Sequence, residues 1–287
     1  EEEEDVQDAP LRVSLPPVTS QLVTRPTTGG RIVEIVEESD EDDGEEVVVR
    51  LVGTASAADV PGDNVCAAGK MLGDKGVTAL LKELAASNAG SPANIQLSGN
   101  DITSDAVATL CATIHKCGWG RQKALDIDLS DNRLDDSAAT LLGGLLAEGR
   151  VGRLNLSSND LSSAAIAELR LGEALHLKYL SLGCNDLSDA GAASLSRALA
   201  EASCGIDHLD VSNCGIERPG LRLLAAAIKK TERMSRLNVD DNECTEGVLD
   251  LAVSPCLLQL SLCNVGITDA IAKQLAQKLA VESAHHS

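Results

Sequence analysis

The side chains in this chain that could carry out chemistry include nine cysteines and five histidines. Cys111, His115 and Cys117 form the pattern C-x3-H-x-C, which places Cys111 and His115 on one face of a helix. A structural zinc ion takes four ligands, and no fourth ligand is adjacent. We therefore expect a buried cysteine and a helix-end histidine here, and no metal site.

The sequence also offers little for catalysis. A nucleophile needs a base within reach and a third group that orients this base. His208 could face Cys184 of a neighbouring segment, but no oxyanion donor pair or catalytic motif accompanies them. The segment GTASAADVPGDN (53–64) lacks the GK[ST] ending of a phosphate-binding loop. We expect no catalytic residue, no cofactor and no enzyme activity.

Composition narrows the class of partner. The chain has 44 acidic and 24 basic residues, a formal net charge of -20 and 1% aromatic residues. This balance disfavours nucleic acid as a partner, because binding to phosphates depends on cationic side chains. No apolar run approaches the roughly 20 residues that a membrane helix needs. The cysteines show no CxxC spacing or even pairing, which predicts reduced thiols and a cytoplasmic location, with nuclear or cytoskeletal association left open.

The charge is concentrated at the start of the chain. Residues 1–50 contain 15 acidic residues and four arginines. We predict an acidic arm over residues 1–53, of which 1–45 is largely disordered, because such a composition buries too little apolar surface to offset chain entropy. Two aliphatic patches interrupt the arm, at 32–36 and 47–52. The second patch could form an edge strand or a cap for the region after residue 53.

The first patch resembles a SUMO-interacting motif. It consists of Ile32, Val33, Ile35 and Val36, followed by an acidic run that contains Ser39. Such a strand would pair with the edge of a partner's sheet. Ser39 also resembles a site for an acidophilic kinase. The alternatives are a solubilising tail and a strand that folds back as an N-terminal cap.

An internal repeat determines the fold. The frame LxxLxLxxNxL recurs from 92 to 267, and a weaker copy at 62–72 begins the array. Each frame alternates apolar and polar residues as a half-buried strand does, and the next segment changes to helical period. The Asn position recurs every 23 to 32 residues, at Asn100, Asn132, Asn159, Asn185, Cys214, Asn242 and Val265.

These repeats resemble the leucine-rich repeat family, in its ribonuclease-inhibitor-like subclass. The resemblance covers residues 54–283, or about seven to eight repeats, and leaves 284–287 as a tail. It implies an α/β fold, a curved solenoid with parallel strands on the concave face and helices on the convex face. The Asn column would bond backbone groups of the turns, so these residues are structural.

Two repeats depart from the frame. The longest spacing contains the extra segment HKCGWGRQK (115–123), which we expect to be a loop on the rim or the convex side. The shortest spacing leaves TEGVLDLAVSP (245–255), so its convex segment should be short. We expect a last helix over about 268–283 to cap the stack.

The polar positions of the frame point out of the concave sheet, which solenoids commonly use for binding. Tyr179 lies between two arginines and beside a histidine, a composition typical of binding hot spots. The alternative is a solvated face without a partner. The predicted protein-binding residues are Asp126, Asp128, Arg153, Asn155, Tyr179, Ser181, His208, Asp210, Arg236 and Asn238.

Three functions fit this sequence. The first is a non-enzymatic interaction scaffold with an acidic regulatory arm. The second is a GTPase activator for a Ran-like GTPase, because Ran GTPase-activating proteins resemble this repeat class. In that family, however, the acidic stretch follows the repeats, and no catalytic residue can be carried over. The third is a structural subunit of a large cytoskeletal or ciliary assembly, suggested by tropomodulin-type repeats.

Overall fold

The computed structural model describes residues 32–38, 46–52, 64–86, 90–201, 203–231, 233–244, 247–251 and 257–285, with side chains from 64 to 277 among them. Eight parallel strands form one sheet in which each strand pairs with the next along the chain. Every strand except the last buries its central aliphatic residue, such as Ile95 and Leu180, whereas Leu260 of the last strand is partly buried. The strands are β3 (Asn64–Cys66), β4 (Asn94–Gln96), β5 (Leu125–Asp128), β6 (Val151–Asn155), β7 (Tyr179–Ser181), β8 (His208–Asp210), β9 (Arg236–Asn238) and β10 (Gln259–Ser261).

Helices connect these strands on the other side of the sheet. Thr103 begins α2 by accepting a hydrogen bond from the Asp105 N–H, and Gly118 ends it with a left-handed φ of 70°. Among the described residues, no helix is both long and apolar enough to cross a membrane. The helices are α1 (Gly73–Ala86), α2 (Ser104–Cys117), α3 (Asp136–Ala147), α4 (Ala165–Glu168), α5 (Ser188–Ala200), α6 (Arg218–Thr231), α7 (Val248–Leu251) and α8 (Asp269–His285).

Two of the convex segments are short. The four residues of α7 agree with the prediction from the shortest repeat. The short helix α4, which a 3-10 turn over Leu171–Glu173 follows, was not predicted. A side chain at Gly143 of α3 would place its Cβ 2.2 Å from the Glu168 carbonyl oxygen. The backbone of α4 therefore lies directly against α3, which is possible only with glycine at that position.

The Asn column has the structural role that its spacing predicted. The Asn185 Nδ2 donates to the carbonyl oxygens of Leu156, Leu182 and Gly183 at 3.0, 2.8 and 3.3 Å. Its Oδ1 accepts from the Leu161 N–H of the preceding turn at 3.0 Å. Asn100, Asn132, Asn159 and Asn242 bind their turns in the same way. Each buried amide thus supplies hydrogen bonds to backbone groups that the turn leaves unpaired.

Residues 118–123 form turns and bends after α2, as expected for a loop, but Trp119 within them is buried. Trp119 is 2% exposed, and Arg150, itself 6% exposed, donates from Nη1 to the Trp119 carbonyl oxygen at 2.9 Å. A Cβ at Gly120 would lie 2.7 Å from the Arg150 carbonyl oxygen. The indole therefore closes the core at the end of α2, because it is the largest apolar side chain available there.

The N-terminal region contains a two-stranded sheet. β1 (Ile32–Glu38) pairs antiparallel with β2 (Glu46–Val52), and β2 contacts α1. The two aliphatic patches thus pair with each other through their backbones. The largely disordered arm predicted over residues 1–45 stays a prediction, because the structure describes only 32–38 of them. Residues 1–31 and 39–45 lie outside the described residues.

Candidate binding surface on the concave sheet

The strand register aligns the predicted binding residues in two rows across the sheet. The first row joins Asp126 to Arg153, Arg153 to Tyr179, Tyr179 to His208, and His208 to Arg236. The second row joins Asp128, Asn155, Ser181, Asp210 and Asn238 in the same order. The backbones of neighbouring residues in one row therefore lie one strand spacing apart, roughly 4.8 Å.

Arg153 and Tyr179 form the centre of the first row. The Arg153 Cζ lies 4.2 Å from the centroid of the Tyr179 ring, within the range of a cation–π contact. The Arg153 Nε lies 4.0 Å from the Asp126 Oδ2, and both side chains are about half exposed. The guanidinium is therefore held between an aromatic ring and a carboxylate while its outer part stays open to a ligand.

His208 extends this cluster toward the C-terminal end of the sheet. Its ring centroid is 6.5 Å from that of Tyr179. Its Nδ1 is within hydrogen-bond distance of the Asp207 Oδ1, and its side chain is 26% exposed. The neighbouring carboxylate fixes the orientation of the imidazole beside Tyr179.

A shallow cavity of about 260 Å³ adjoins the Arg153–Tyr179 pair. Asn94 and Gln96 of β4 line it although they were not among the predicted binding residues. They occupy the same polar frame positions one repeat earlier, so the repeat pattern contained the signal that identifies them. The full lining is Asn94, Gln96, Asp126, Ile127, Asp128, Arg153, Asn155 and Tyr179.

Charge within the cavity is set mainly by two carboxylates. Partial burial raises the pKa of Asp126, and the nearby Arg153 and Lys123 offset part of this effect. The Asp128 Oδ1 accepts hydrogen bonds from the Ser130 N–H at 3.1 Å and from its hydroxyl at 2.7 Å. Asp128 is therefore held in place by the turn, whereas Asp126 keeps an oxygen available for a cationic ligand group.

The second row stabilises the sheet more than it offers contact area. Ser181 is 2% exposed and donates to the Asp210 Oδ2 at 3.3 Å, so its prediction as a contact residue is corrected to a positioning role. Asn155 and Asn238 each accept a hydrogen bond from a backbone N–H two residues further along. Arg236 of the first row is exposed and forms no ion pair with any described residue.

The cysteines and histidines that the sequence analysis considered have other partners in the described part of the chain. The Cys111 Sγ donates to the Leu141 carbonyl oxygen at 3.7 Å, and the His115 Nε2 lies 3.0 Å from the Glu148 Oε1. Within the described residues, no group of three potential ligands could hold a metal ion. Cys184 and His208 have separate partners. The Cys184 Sγ accepts a hydrogen bond from Asn213, and His208 is paired with Asp207.

The structure describes only the backbone of the predicted linear motif, and not all of it. Ile32, Val33, Ile35 and Val36 lie in β1, of which the backbone alone is described, and Ser39 is outside the described residues. β1 already uses one edge to pair with β2. The motif therefore stays a prediction.

Comparison with known proteins identifies the repeat. The family model "Leucine Rich repeat" matches residues 174–196. The ribonuclease inhibitor of Mus musculus is 28% identical over 55% of this chain and 36% of its own length. The RAN GTPase-activating protein 2 of Arabidopsis thaliana is 28% identical over 39% of this chain and 22% of its own length. The chain thus spans well under two thirds of these relatives.

A solved plant peptide hormone receptor, RGFR1 in complex with RGF2, has 16% sequence identity and a TM-score of 0.33, over 60% of this chain and 25% of that chain. A likeness of that size carries no argument about function. The family model covers one repeat, and the same strand, turn and convex segment recur along the whole eight-stranded sheet. The fold is therefore a leucine-rich-repeat solenoid, and its repeats are similar to those of the ribonuclease inhibitors.

Proposed function

We propose that this protein is a non-enzymatic interaction module that binds a protein partner on its concave face. The observation that carries the proposal is the Arg153–Tyr179 pair beside an open cavity at the centre of that face. Tyrosine and arginine are the residue types that most often dominate binding energy at interfaces. The name of one relative, ribonuclease inhibitor, supports the proposal, because it denotes a protein that acts by binding another protein.

The order of charges across the face suggests the chemistry of the partner. Acidic groups lie on β5 at Asp126 and Asp128, and exposed arginines lie on β6 and β9 at Arg153 and Arg236. β5 and β9 are separated by four strand spacings, or about 19 Å. A complementary partner would therefore present a basic group to the cavity and an acidic group about that distance away.

Affinity capture with a matched control tests the concave face. The test variant combines Tyr179→Ala with Arg153→Glu. The control combines Lys116→Glu with Leu175→Ala, two exposed positions away from the concave sheet, and so makes the same charge change with a comparable loss of apolar surface. We expect partners captured by the native chain to be lost with the test variant alone. Unchanged capture by a folded test variant, as judged by circular dichroism, would place the interface elsewhere.

A second candidate is activation of a Ran-like GTPase. The similarity to the Arabidopsis thaliana RAN GTPase-activating protein 2 favours it, although that similarity covers 39% of this chain. A single-turnover assay of Ran·GTP hydrolysis separates the two candidates. An interaction module leaves the hydrolysis rate unchanged at saturating concentrations, whereas acceleration of hydrolysis would establish the second function.

A further inference from the structure

The last strand of the sheet leaves a row of backbone groups unpaired. In the preceding pair of strands, the Asp207 carbonyl oxygen and the Val211 N–H form hydrogen bonds to β9 at 3.0 and 2.9 Å. The corresponding groups of β10 are the Leu258 carbonyl oxygen and the Leu262 N–H, and the Asn264 N–H follows on the same edge. None of these three groups has a hydrogen-bond partner in the part of the chain that the structure describes.

The side chains beneath this edge are incompletely covered. Leu237 and Val239 of the preceding repeat are at most 2% exposed, whereas Leu260 and Leu262, at the same positions of the last repeat, are half-buried. Leu258 is 84% exposed, at a position that is polar in the three preceding repeats. The last repeat therefore presents aliphatic surface to solvent along the line of the unpaired backbone groups.

Helix α8 is uncovered on the same side. Ala192 and Leu195 of α5 are 0% exposed, whereas the corresponding Ala272 of α8 is exposed and Leu275 is half-buried. The strand and the helix of the last repeat thus share one open side, which we call the end face. Its aliphatic residues are Leu258, Leu260, Leu262, Ile267, Ala272 and Leu275.

The charges around the end face have a direction. The Asn264 Nδ2 donates to the Asp241 Oδ1 at 3.0 Å, so an exposed carboxylate adjoins the unpaired Asn264 N–H. Asp269 is exposed at the start of α8, and Lys273 adds one cation a turn later. Arg236 lies at the opposite end of the edge, at the start of the neighbouring β9. The edge is therefore basic where the strands begin and acidic beyond the point where β10 ends.

We propose that the end face binds an extended segment of a protein partner as an additional strand parallel to β10. The unpaired groups of β10 supply main-chain hydrogen bonds, and the half-buried leucines contact aliphatic side chains at alternate positions of the segment. Asp241 and Asp269 favour basic residues after these positions. The net charge of -20 acts in the same sense, and it disfavours a second copy of this chain as the occupant, because two acidic chains repel each other.

Fluorescence anisotropy with the full chain tests this proposal. The probe is a labelled synthetic peptide in which valine and threonine alternate and lysines follow. One control peptide has the lysines first, and another has methylated backbone nitrogens. We expect saturable binding of the probe, roughly fivefold weaker binding of the peptide with reversed charge order, and a loss of roughly tenfold or more on methylation, because the methyl groups remove main-chain donors.

A leucine variant locates the binding site on the protein. Leu258→Ser should weaken binding of the probe roughly fivefold, because the peptide loses an apolar contact. The native side chain is 84% exposed, so this variant keeps its fold. Leu175→Ser alters another exposed leucine, which is 55% exposed and lies before β7, and should change the affinity less than about twofold.

A pair of charge variants tests the direction of the peptide. Asp241→Asn with Asp269→Asn should weaken binding of the probe roughly fivefold, since its lysines lose two partly screened carboxylates. Asp160→Asn with Asp186→Asn makes the same charge change in exposed turns after β6 and β7. These turns are three or more strand spacings from β10, beyond the Debye length of roughly 10 Å, so the affinity should change less than about twofold.

Several results would overturn the proposal. Equal binding of the methylated peptide would mean that the segment does not pair as a strand. Equal weakening by both leucine variants, or by both aspartate pairs, would mean that the peptide binds no particular surface. Dimerisation of the native chain in sedimentation equilibrium that Leu258→Ser abolishes would make a second copy the occupant. Tyr179→Ala should leave the affinity for the probe unchanged, which separates this result from any failure of the concave-face proposal.

Discussion

Two consecutive turns of the solenoid share a backbone path but differ in the side chain at their centre. In the first turn, Asn185 donates two N–H groups to three carbonyl oxygens and accepts one bond at Oδ1. In the next turn, Cys214 has a single S–H, which lies 3.2 Å from the Leu182 carbonyl oxygen and 3.4 Å from that of Ser212. The cysteine thus still donates a hydrogen bond to its own turn, but it has no acceptor oxygen in the place of the asparagine Oδ1.

The turn before Cys214 has a different hydrogen bond where the asparagine acceptor is missing. The N–H groups of Ile102, Leu134, Leu161 and Ile216 each donate to the Oδ1 of the next asparagine. Leu187 occupies the same position before Cys214, and its N–H donates to the Asn185 carbonyl oxygen at 3.1 Å. Ser188 then has a left-handed φ of 55°, whereas the corresponding Thr103 and Asp135 are extended. Gly73, before Asn100, is also left-handed although the Leu72 N–H donates to the Asn100 Oδ1 at 3.3 Å, so the missing acceptor alone does not account for this backbone. The comparison shows that each column position serves its own turn as donor and the previous turn as acceptor.

The largest expected effect is on stability when the asparagine is lost. Asn185→Ala removes one donor from each of three carbonyl oxygens, which keep a second donor, and leaves the Leu161 N–H without its acceptor in a site that is 5% exposed. We expect it to lower the free energy of unfolding by about 3 kcal/mol, since an unsatisfied buried N–H costs about 1–3 kcal/mol and the lost hydrogen bonds add to this. Cys214→Ala should cost about 1.5 kcal/mol, mainly from the small cavity.

Urea denaturation followed by circular dichroism measures both changes. Gln96→Ala is a suitable control, because this exposed amide forms no hydrogen bond with a described residue. Equal losses for the two alanine variants would show that the cysteine and the asparagine contribute alike, and the comparison between the turns would fail.

The buried thiols predict a loss of stability at alkaline pH. Burial raises the pKa of Cys111 and of Cys214 to about 12, from a model-compound value of 9.0. Because the folded state holds these protons more tightly, the stabilisation is complete below pH 9 and is lost as the pH rises toward 12. Each such thiol lowers the free energy of unfolding by about 1.4 kcal/mol per pH unit in this window.

A variant isolates the thiol from other groups that titrate at high pH. Cys214→Asn should flatten the dependence of unfolding free energy on pH between 9 and 11 by close to one proton. Cys263→Ser, which alters an exposed cysteine, should leave the slope unchanged. The same slope in Cys214→Asn and the native chain would mean that this thiol ionises equally in both states.

Restoring asparagine at the exceptional turn should increase stability at neutral pH. In Cys214→Asn, the amide could donate to the carbonyl oxygens that Cys214 now approaches and accept from the Leu187 N–H. We expect a gain of about 1 kcal/mol, the net value of one or two recovered hydrogen bonds. Thermal melting at pH 7 measures it. A lower melting temperature would mean that the preceding turn cannot return to the path that the other repeats follow.

The comparison also explains how far the sequence could predict the fold and the site. A frame repeated seven times identified the strands, the concave rows and the Asn column, because each pattern depends on neighbours within one repeat. The burial of Trp119 and Ser181 was missed, since it depends on Arg150 and Asp210 from the next repeat. The different hydrogen bond of the Leu187 N–H was also not predicted, because the acceptor used in other turns would come from residue 214, 27 residues later, where cysteine replaces asparagine. Contacts between repeats decide the details that a single repeat cannot specify.

The smallest expected effect tests whether that turn is a consequence of Cys214. Ser188 has a left-handed φ of 55°. The corresponding residue in the turn that follows β3 is Gly73, with a φ of 58°. Ser188→Gly should therefore stabilise the native chain by about 0.5 kcal/mol, because glycine adopts this region without steric cost. If the missing acceptor causes the left-handed turn, the gain should shrink or reverse in the Cys214→Asn background. A double-mutant cycle by urea denaturation measures the difference, and an equal gain in both backgrounds would show that the turn is set by its own residues.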